Sequence, residues 1–190
     1  LGAAAMVFTE ATRDSAVGRI SARCMALHND AQEAAFRRVV EFCRRYGVSK
    51  LAVQLAHAGG KASTRPPLQR GSPVTLAYGG WQTVAPSAVP YAEDWPVPEP
   101  LDAGGIAAVR QQLVDATRRA DSLGFDLVEL HAAHGYLAHE FLSPLSNCRD
   151  DAYGGSLENR MRFPLETFEA MRAAWPAEKP MGVRLSATDW

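Results

Sequence analysis

The sequence predicts an α/β protein in which strands and helices alternate along the chain. Short apolar runs of strand length are separated by longer segments with apolar residues at helical spacing. Glycines stand where two of the helical patterns end, and polar side chains gather directly after two of the apolar runs. Repeated units of this kind form parallel sheets with right-handed crossovers. The pattern is compatible with both a doubly wound sheet and a barrel.

The first part of the chain contains two predicted strands and one helix. Residues Met6 to Thr12 are typical of a strand. The helix is expected to begin at Asn29 or Asp30, both of which are good capping residues, and to end at Gly47. The next strand is predicted at Lys50–Leu55, where apolar residues alternate with shorter or polar ones.

A long excursion follows at residues 62–100. It contains most of the prolines of the chain, together with the aromatic residues Trp81, Tyr91 and Trp95. Loops of this length inside a domain are usually functional or contain a small hairpin of their own. We therefore expect an inserted loop that serves as a lid or as a wall of the substrate pocket.

Two further helices and two strands complete the predicted pattern. The helix at Ile106–Leu123 is followed by a strand at Phe125–Leu130, and the last strand is expected at Met181–Ser186. A helix between them is predicted at about Leu157–Trp175. Pro164 falls inside that helix and is expected to break or restart it, because proline lacks the N–H that a helix interior needs.

Bulk composition narrows the class of protein. A length of 190 residues suits one domain, and a formal net charge of −1 gives no general attraction to nucleic acid or to anionic membranes. No apolar run reaches the length of a membrane span. The start lacks the basic residues of a signal peptide and lacks an initial Met, which predicts that the true start is missing. The sparse cysteines Cys24, Cys43 and Cys148 are typical of reduced thiols in a cytoplasm.

The most informative stretch is the end of the third strand, where His131, His134 and Tyr136 follow an apolar run. In parallel α/β folds, catalytic and binding groups lie at the carboxyl ends of strands. A zinc site would need three or four converging ligands, and Glu140 is the one nearby addition. No strand is followed by the glycine fingerprint of a Rossmann nucleotide site.

Several motifs occur in a fixed order along the chain. They are Gln54–Gly59, Ala85–Ala88, His131–Tyr136, Phe141–Pro144, Asn147, Asp151–Arg160 and Val183–Arg184. Each motif alone is moderately specific, but the ordered set resembles the old yellow enzyme family of FMN-dependent ene-reductases. The likeness is greatest to the bacterial branch that contains thermophilic-like enzymes and xenobiotic reductases.

This resemblance implies a (β/α)8 TIM barrel of which the chain supplies about strands two to five with their helices. Residues 1–190 would form a partial FMN-binding barrel domain, without the first strand and without strands six to eight. The loops that bind the FMN phosphate in such barrels would lie outside this segment. The complete protein is expected to be a cytoplasmic homo-oligomer.

The resemblance also implies a two-step reaction. NADPH or NADH would reduce FMN, and the hydride would then pass to the C=C bond of a small α,β-unsaturated carbonyl or nitro compound. No nucleic acid, membrane or metal is expected to take part.

Five residues match the functional positions of that family. His131 and His134 would bind the activating oxygen of the substrate, where negative charge develops. Tyr136 would donate the proton. Gln54 and Arg184 would bind the flavin, the arginine placing permanent positive charge near the reduced ring.

Other functions stay open at this level. The 2,4-dienoyl-CoA reductase and amine dehydrogenase group has similar motifs but adds an iron–sulfur cluster, for which the three scattered cysteines are unsuited. A non-catalytic truncated barrel is a different class of protein, and so is a metal-binding module that uses His131 and His134.

Overall fold

The computed structural model describes residues 4–66, 69 and 71–189. Residues 1–3, on which the prediction about the start of the chain depends, lie outside the described residues. Residues 67, 68 and 70 of the predicted 62–100 excursion also lie outside them. The elements in chain order are β1 (Met6–Phe8), β2 (Thr12–Arg13), α1 (Asp30–Tyr46), β3 (Lys50–Ala56), β4 (Val84–Ala85), β5 (Glu99–Pro100), α2 (Ala103–Ser122), β6 (Leu127–Ala132), α3 (Leu137–Leu142), α4 (Leu157–Ala174) and β7 (Met181–Leu185).

The main sheet is entirely parallel, as predicted. Its strand order is β1-β3-β6-β7, and β2 pairs with β3 further along the same side as β1. The core lies between one face of this sheet and the helices, with Leu51, Val53 and Leu55 of β3 facing α1 and α2 side chains. Burial of these apolar side chains is the main force that holds strand and helix together.

The predicted strand at Met6–Thr12 is interrupted by a one-residue bulge. Phe8 lies opposite Ala52, but Thr12 lies opposite Leu55, so four steps along one strand match three along its partner. A bulge of this kind moves every later side chain to the other face of the sheet. As a result, Arg13 lies opposite Ala56 and on the same face as Gln54.

Helix α1 begins as predicted, and its cap is Asn29. The Asn29 side chain accepts a hydrogen bond from the Gln32 N–H at 3.0 Å, which satisfies one of the free donors at the start of the helix. Asp102 and Ser156 cap α2 and α4 in the same manner.

The expectation that Pro164 breaks the last helix is wrong, because α4 continues through it from Leu157 to Ala174. Proline in a helix interior costs about 3 kcal/mol or more through the lost N–H and the ring clash. Here the buried Pro164 lies between Phe163 and Thr167, which are also buried, and Phe163 stacks on Phe141 with ring centroids 4.2 Å apart. Packing on both sides of the proline outweighs its local cost.

The excursion at 62–100 contains little regular structure. Strands β4 and β5 form a two-stranded parallel pair, so the small hairpin that loops of this length often contain is not formed in its described part. Both outer strands of the main sheet carry exposed apolar side chains. Val183 and Leu185 of β7 are 44% and 60% exposed, respectively.

Candidate functional site

The two histidines and the tyrosine predicted from the sequence are brought together at the end of β6. His134 and Gly135 both have left-handed backbone conformations, with φ of 60° and 72°, and this tight turn folds the chain back over His131. The Nδ1 atom of His134 lies 3.2 Å from Nε2 of His131. The Tyr136 ring lies 5.0 Å from the His131 ring, nearly edge to face.

The hydrogen bonds around the rings define their proton positions. The Ala133 N–H donates to Nδ1 of His131 at 3.2 Å, so the proton of the neutral His131 ring is on Nε2. That N–H faces Nδ1 of His134, which must then accept, and the proton of His134 is on its own Nε2. Within the described structure, the pair therefore presents one N–H that the ring–ring contact does not use.

Both imidazoles are held in the neutral form. Burial lowers the pKa of His131 to about 3, with further contributions from His134, Arg13 and Arg184. Burial also lowers the pKa of His134, aided by the charges of Arg184 and Lys61. Neutral rings donate hydrogen bonds at pH 7 without adding a positive charge of their own.

Contacts to the backbone hold the strained turn in place. The Lys61 ammonium donates to the carbonyl oxygen of His134 at 3.0 Å, and the His134 N–H donates to the Ser186 hydroxyl at 3.0 Å. A left-handed conformation is costly for a residue other than glycine and persists only where such contacts fix it. Lys61 and Ser186 follow β3 and β7, so three neighbouring strand ends converge on this turn.

Gln54 and Arg184 lie on the same face of the sheet as His131. Register places Gln54 opposite Glu129, and His131 opposite Arg184. The Gln54 amide donates to the Glu129 carboxylate at 2.5 Å. Gln54, Glu129 and Arg184 line an open depression of about 640 Å³.

These residues fit one wall of a flavin site. The Arg184 guanidinium makes no hydrogen bond with the described residues and is exposed to the depression, where it is available to a negatively charged ring. Gln54 offers its carbonyl oxygen as an acceptor, because its amide nitrogen is engaged with Glu129. Together they supply one cation and one acceptor on the same face.

Sequence reasoning missed three charged residues near this site. Glu129 falls inside the predicted apolar strand at Phe125–Leu130, and Arg13 follows the predicted strand at Met6–Thr12, but neither residue was assigned a role. Glu140 was considered only as a metal ligand, but its carboxylate accepts from the Gly60 N–H at 3.0 and 3.2 Å. Register between distant strands, which no local pattern gives, is what places Arg13 and Glu129 on the site face.

Two structural features are absent from the residues that the structure describes. Among residues 4–66, 69 and 71–189, no three His, Cys, Asp or Glu side chains converge as a metal site would require. In the same part of the chain, no helix combines the length and the apolar character that crossing a membrane needs.

Comparison with known proteins gives a consistent result. The sequence profile of the NADH:flavin oxidoreductase / NADH oxidase family matches residues 2–190. An NADPH dehydrogenase from Bacillus velezensis is 40% identical over 190 residues, which is 100% of this chain and 51% of that relative. The chain thus spans about half the length of the curated relatives that it matches.

Solved structures show the same partial coverage. Morphinone reductase has a TM-score of 0.80 at 34% identity, and the match covers 95% of this chain and 49% of that one. An old yellow enzyme from Pichia sp. AKU4542 has a TM-score of 0.82 at 30% identity, covering 95% and 46%. The prediction of a TIM-barrel segment is confirmed, since the parallel sheet is about half of such a barrel.

Proposed function

The chain belongs to the NADH:flavin oxidoreductase / NADH oxidase family, and from that premise we propose that it carries the substrate-activating part of an FMN-dependent ene-reductase. The substrate is a small α,β-unsaturated carbonyl or nitro compound, and the reductant is NADPH or NADH. The observation that carries the proposal is the convergence of His131, His134 and Tyr136 on the sheet face that also holds Gln54 and Arg184.

Gln54 and Arg184 would hold the flavin. When bound, FMN supplies hydride transfer between the nicotinamide and the alkene. Arg184 would place a permanent positive charge near the reduced ring, and the Gln54 carbonyl oxygen would be available to accept a hydrogen bond from the flavin. Glu129 keeps that oxygen turned toward the depression by accepting from the amide nitrogen.

The imidazole pair would activate the substrate oxygen. His134 presents its Nε2–H at once, while the Nε2–H of His131 becomes available when the oxygen replaces the contact between the rings. An N–H aimed at an oxygen that gains negative charge stabilises the transition state more than the ground state. Burial keeps water from competing for the same donors, because His131 is only 3% exposed.

Tyr136 would deliver the proton to the alkene carbon next to the activating group. Its hydroxyl makes no hydrogen bond with the residues that the structure describes, and the side chain is half-buried, so the proton is free to be donated toward a bound ligand. A neutral phenol can act as a general acid without a prior change of charge.

The proposal is tested by the visible spectrum of the protein purified with FMN. We expect a yellow protein that NADPH bleaches without oxygen and that 2-cyclohexenone restores to yellow. A protein that bleaches but stays colourless with both cyclohexenone and a nitroalkene would contradict the proposed substrate class.

A protein that does not retain FMN would contradict the proposal for this chain. Because the chain spans about half the length of its curated relatives, the same titration is applied to any longer reading frame that contains it. Failure of the longer protein to hold FMN would contradict the proposed function altogether.

A further inference from the structure

One fully buried charged side chain beside Tyr136 has no role in the proposed reaction. Arg13 is 1% exposed, and two of its guanidinium nitrogens, Nε and Nη1, have no hydrogen-bond partner among the described residues. Its Cζ atom lies 5.1 Å from the centroid of the Tyr136 ring. A buried guanidinium without an anion is costly, and native proteins usually pair such groups.

The backbone holds Arg13 firmly in this position. Its N–H donates to the Met25 carbonyl and its carbonyl accepts from the Leu27 N–H, both at 2.9 Å, while β3 lies on its other side. The bulge in the preceding strand turns the side chain to the face that contains Gln54.

A second buried donor, His57, follows Ala56, the residue that lies opposite Arg13 on the neighbouring strand. His57 is 3% exposed, and its Nδ1 accepts from the Gly59 N–H at 3.1 Å, which leaves the proton on Nε2. That Nε2 also has no partner in the described structure. Burial lowers the pKa of His57 to about 3, and the charge of Arg13 contributes to the same shift.

The carboxylate that is adjacent in the chain forms no ion pair with Arg13. Asp14 follows it in the chain, and the salt bridges among the described residues include none between the two. Oδ1 of Asp14 accepts from the Ser15 hydroxyl at 3.2 Å, and Oδ2 is unpartnered. Burial raises the pKa of Asp14 to about 7, which weakens it as a counter-ion at neutral pH.

We propose that Arg13, supported by His57, binds a carboxylate group of the substrate beside Tyr136. The inference rests on the proposed function and narrows its substrate class to alkenes that carry a carboxylate in addition to the activating carbonyl. A guanidinium presents neighbouring N–H groups in one plane, which matches the two oxygens of a carboxylate. Cζ of Arg13 lies over the half-buried Tyr136 ring, 5.1 Å from its centroid, so a carboxylate held by Arg13 would lie beside the proposed proton donor.

The test compares an acid with its neutral ester. Binding of (E)-4-oxopent-2-enoate and of its methyl ester to the oxidised FMN-loaded protein is measured by calorimetry, without NADPH, so that no turnover occurs. We expect the wild type to bind the acid about tenfold or more tightly than the ester, as a charge-assisted hydrogen bond implies.

Arg13→Met is expected to remove the preference for the acid while changing ester binding by less than about twofold. Arg13→Lys is expected to keep part of the preference for the acid, because the positive charge remains but the planar guanidinium is lost. Arg19→Met is the matched control. Arg19 also lies over an aromatic ring, that of Trp81 at 4.8 Å, but its Nε donates to the Ala16 carbonyl, outside the site.

The inference fails if the wild type binds acid and ester equally, a result that does not depend on the folding of any variant. It also fails if a folded Arg13→Met protein, checked by circular dichroism, keeps the preference. Reduction of 2-cyclohexenone distinguishes a failure of the carboxylate site from a failure of the proposed ene-reductase function. If the wild type reduces this neutral enone but binds the acid no more tightly than the ester, the carboxylate site alone is overturned. If the wild type does not reduce the enone at all, the proposed function is overturned.

Discussion

The amide nitrogen of Gln54 donates to the carboxylate of Glu129 at 2.5 Å, across two neighbouring parallel strands. A carboxylate can only accept, so the amide must present its nitrogen to Glu129 and its oxygen to the other side. The orientation of a glutamine that would contact the flavin is thus fixed by a residue that does not need to touch the flavin itself. The strands are 75 residues apart in the chain, yet their register makes the contact unavoidable.

Replacement of Glu129 is the first prediction. In Glu129→Gln the acceptor loses its charge and the Gln54 amide becomes free to turn over. We expect the dissociation constant of FMN to rise about fivefold, which corresponds to the loss of about 1 kcal/mol in hydrogen bonding. Quenching of FMN fluorescence on binding measures the change.

The matched control is Glu166→Gln. Glu166 pairs with Arg110 at 2.6 Å and accepts from the Tyr153 hydroxyl, away from the depression. It should leave FMN affinity unchanged. Equal affinities of the wild type and Glu129→Gln would show that Glu129 does not orient Gln54.

Tyr136→Phe should separate the two halves of the reaction. The aromatic ring and its contact with Arg13 are kept, and only the proton is removed. We expect alkene reduction to slow by about 100-fold or more, as is typical when a general acid is lost. Reduction of the flavin by NADPH, followed by stopped-flow absorbance, should be unchanged. Tyr153→Phe, which alters a hydroxyl bonded to Glu166, is the control.

His134→Ala should remove the N–H that the structure leaves free for a ligand. Loss of one donor to a developing oxyanion typically costs about 100-fold in kcat. We expect a loss of that size in enone reduction, while NADPH still reduces the flavin. His28→Ala, beside the start of α1, should have no such effect. Enone reduction at the wild-type rate in His134→Ala would remove this histidine from the mechanism.

Much of the fold follows from local pattern. The alternation of the main strands with α1, α2 and α4, the ends of α1 and α2 near glycines, and the polar groups after β3 and β6 were all predicted from the spacing of apolar and capping residues. The short helix α3 and the strand pair β4 and β5 were not predicted. The sequence alone did not choose between a doubly wound sheet and a barrel. That choice depended on the resemblance, and the solved neighbours confirm it.

The features that were not predicted depend on contacts between residues that are far apart in the chain. Pro164 was expected to break α4, but the packing of Phe163 on Phe141, 22 residues earlier in the chain, keeps the helix intact. The bulge before Thr12 is visible only in register with β3, and it decides that Arg13 faces the site. The roles of the five predicted site residues stay predictions, to be decided by the variants above.

Glu140 connects the loop after β3 to the helix after β6, and this contact should make stability depend on pH. Both carboxylate oxygens lie within 3.2 Å of the Gly60 N–H, and a side chain at Gly59 would meet Glu140 directly. Burial raises the pKa of Glu140 to about 8 from its ordinary value of 4.5. The folded state therefore holds this proton more tightly than the unfolded chain, and the stability it contributes is complete below pH 4.5 and is lost as the pH rises toward 8.

Glu140→Gln keeps an acceptor for the Gly60 N–H but cannot ionise. We expect its melting temperature, relative to wild type, to rise between pH 6 and about pH 8 and to level off above that. Asp14, whose pKa burial raises to about 7, titrates in both proteins and cancels in this difference. The contributions of His57 and His131 to stability change in the opposite direction, because they are lost as the pH falls below 6.5. They therefore change little over the pH range of this experiment. Glu41→Gln, on the exposed face of α1, should follow the wild type at every pH. A constant difference between Glu140→Gln and wild type would mean that Glu140 is ionised in the folded protein throughout this range.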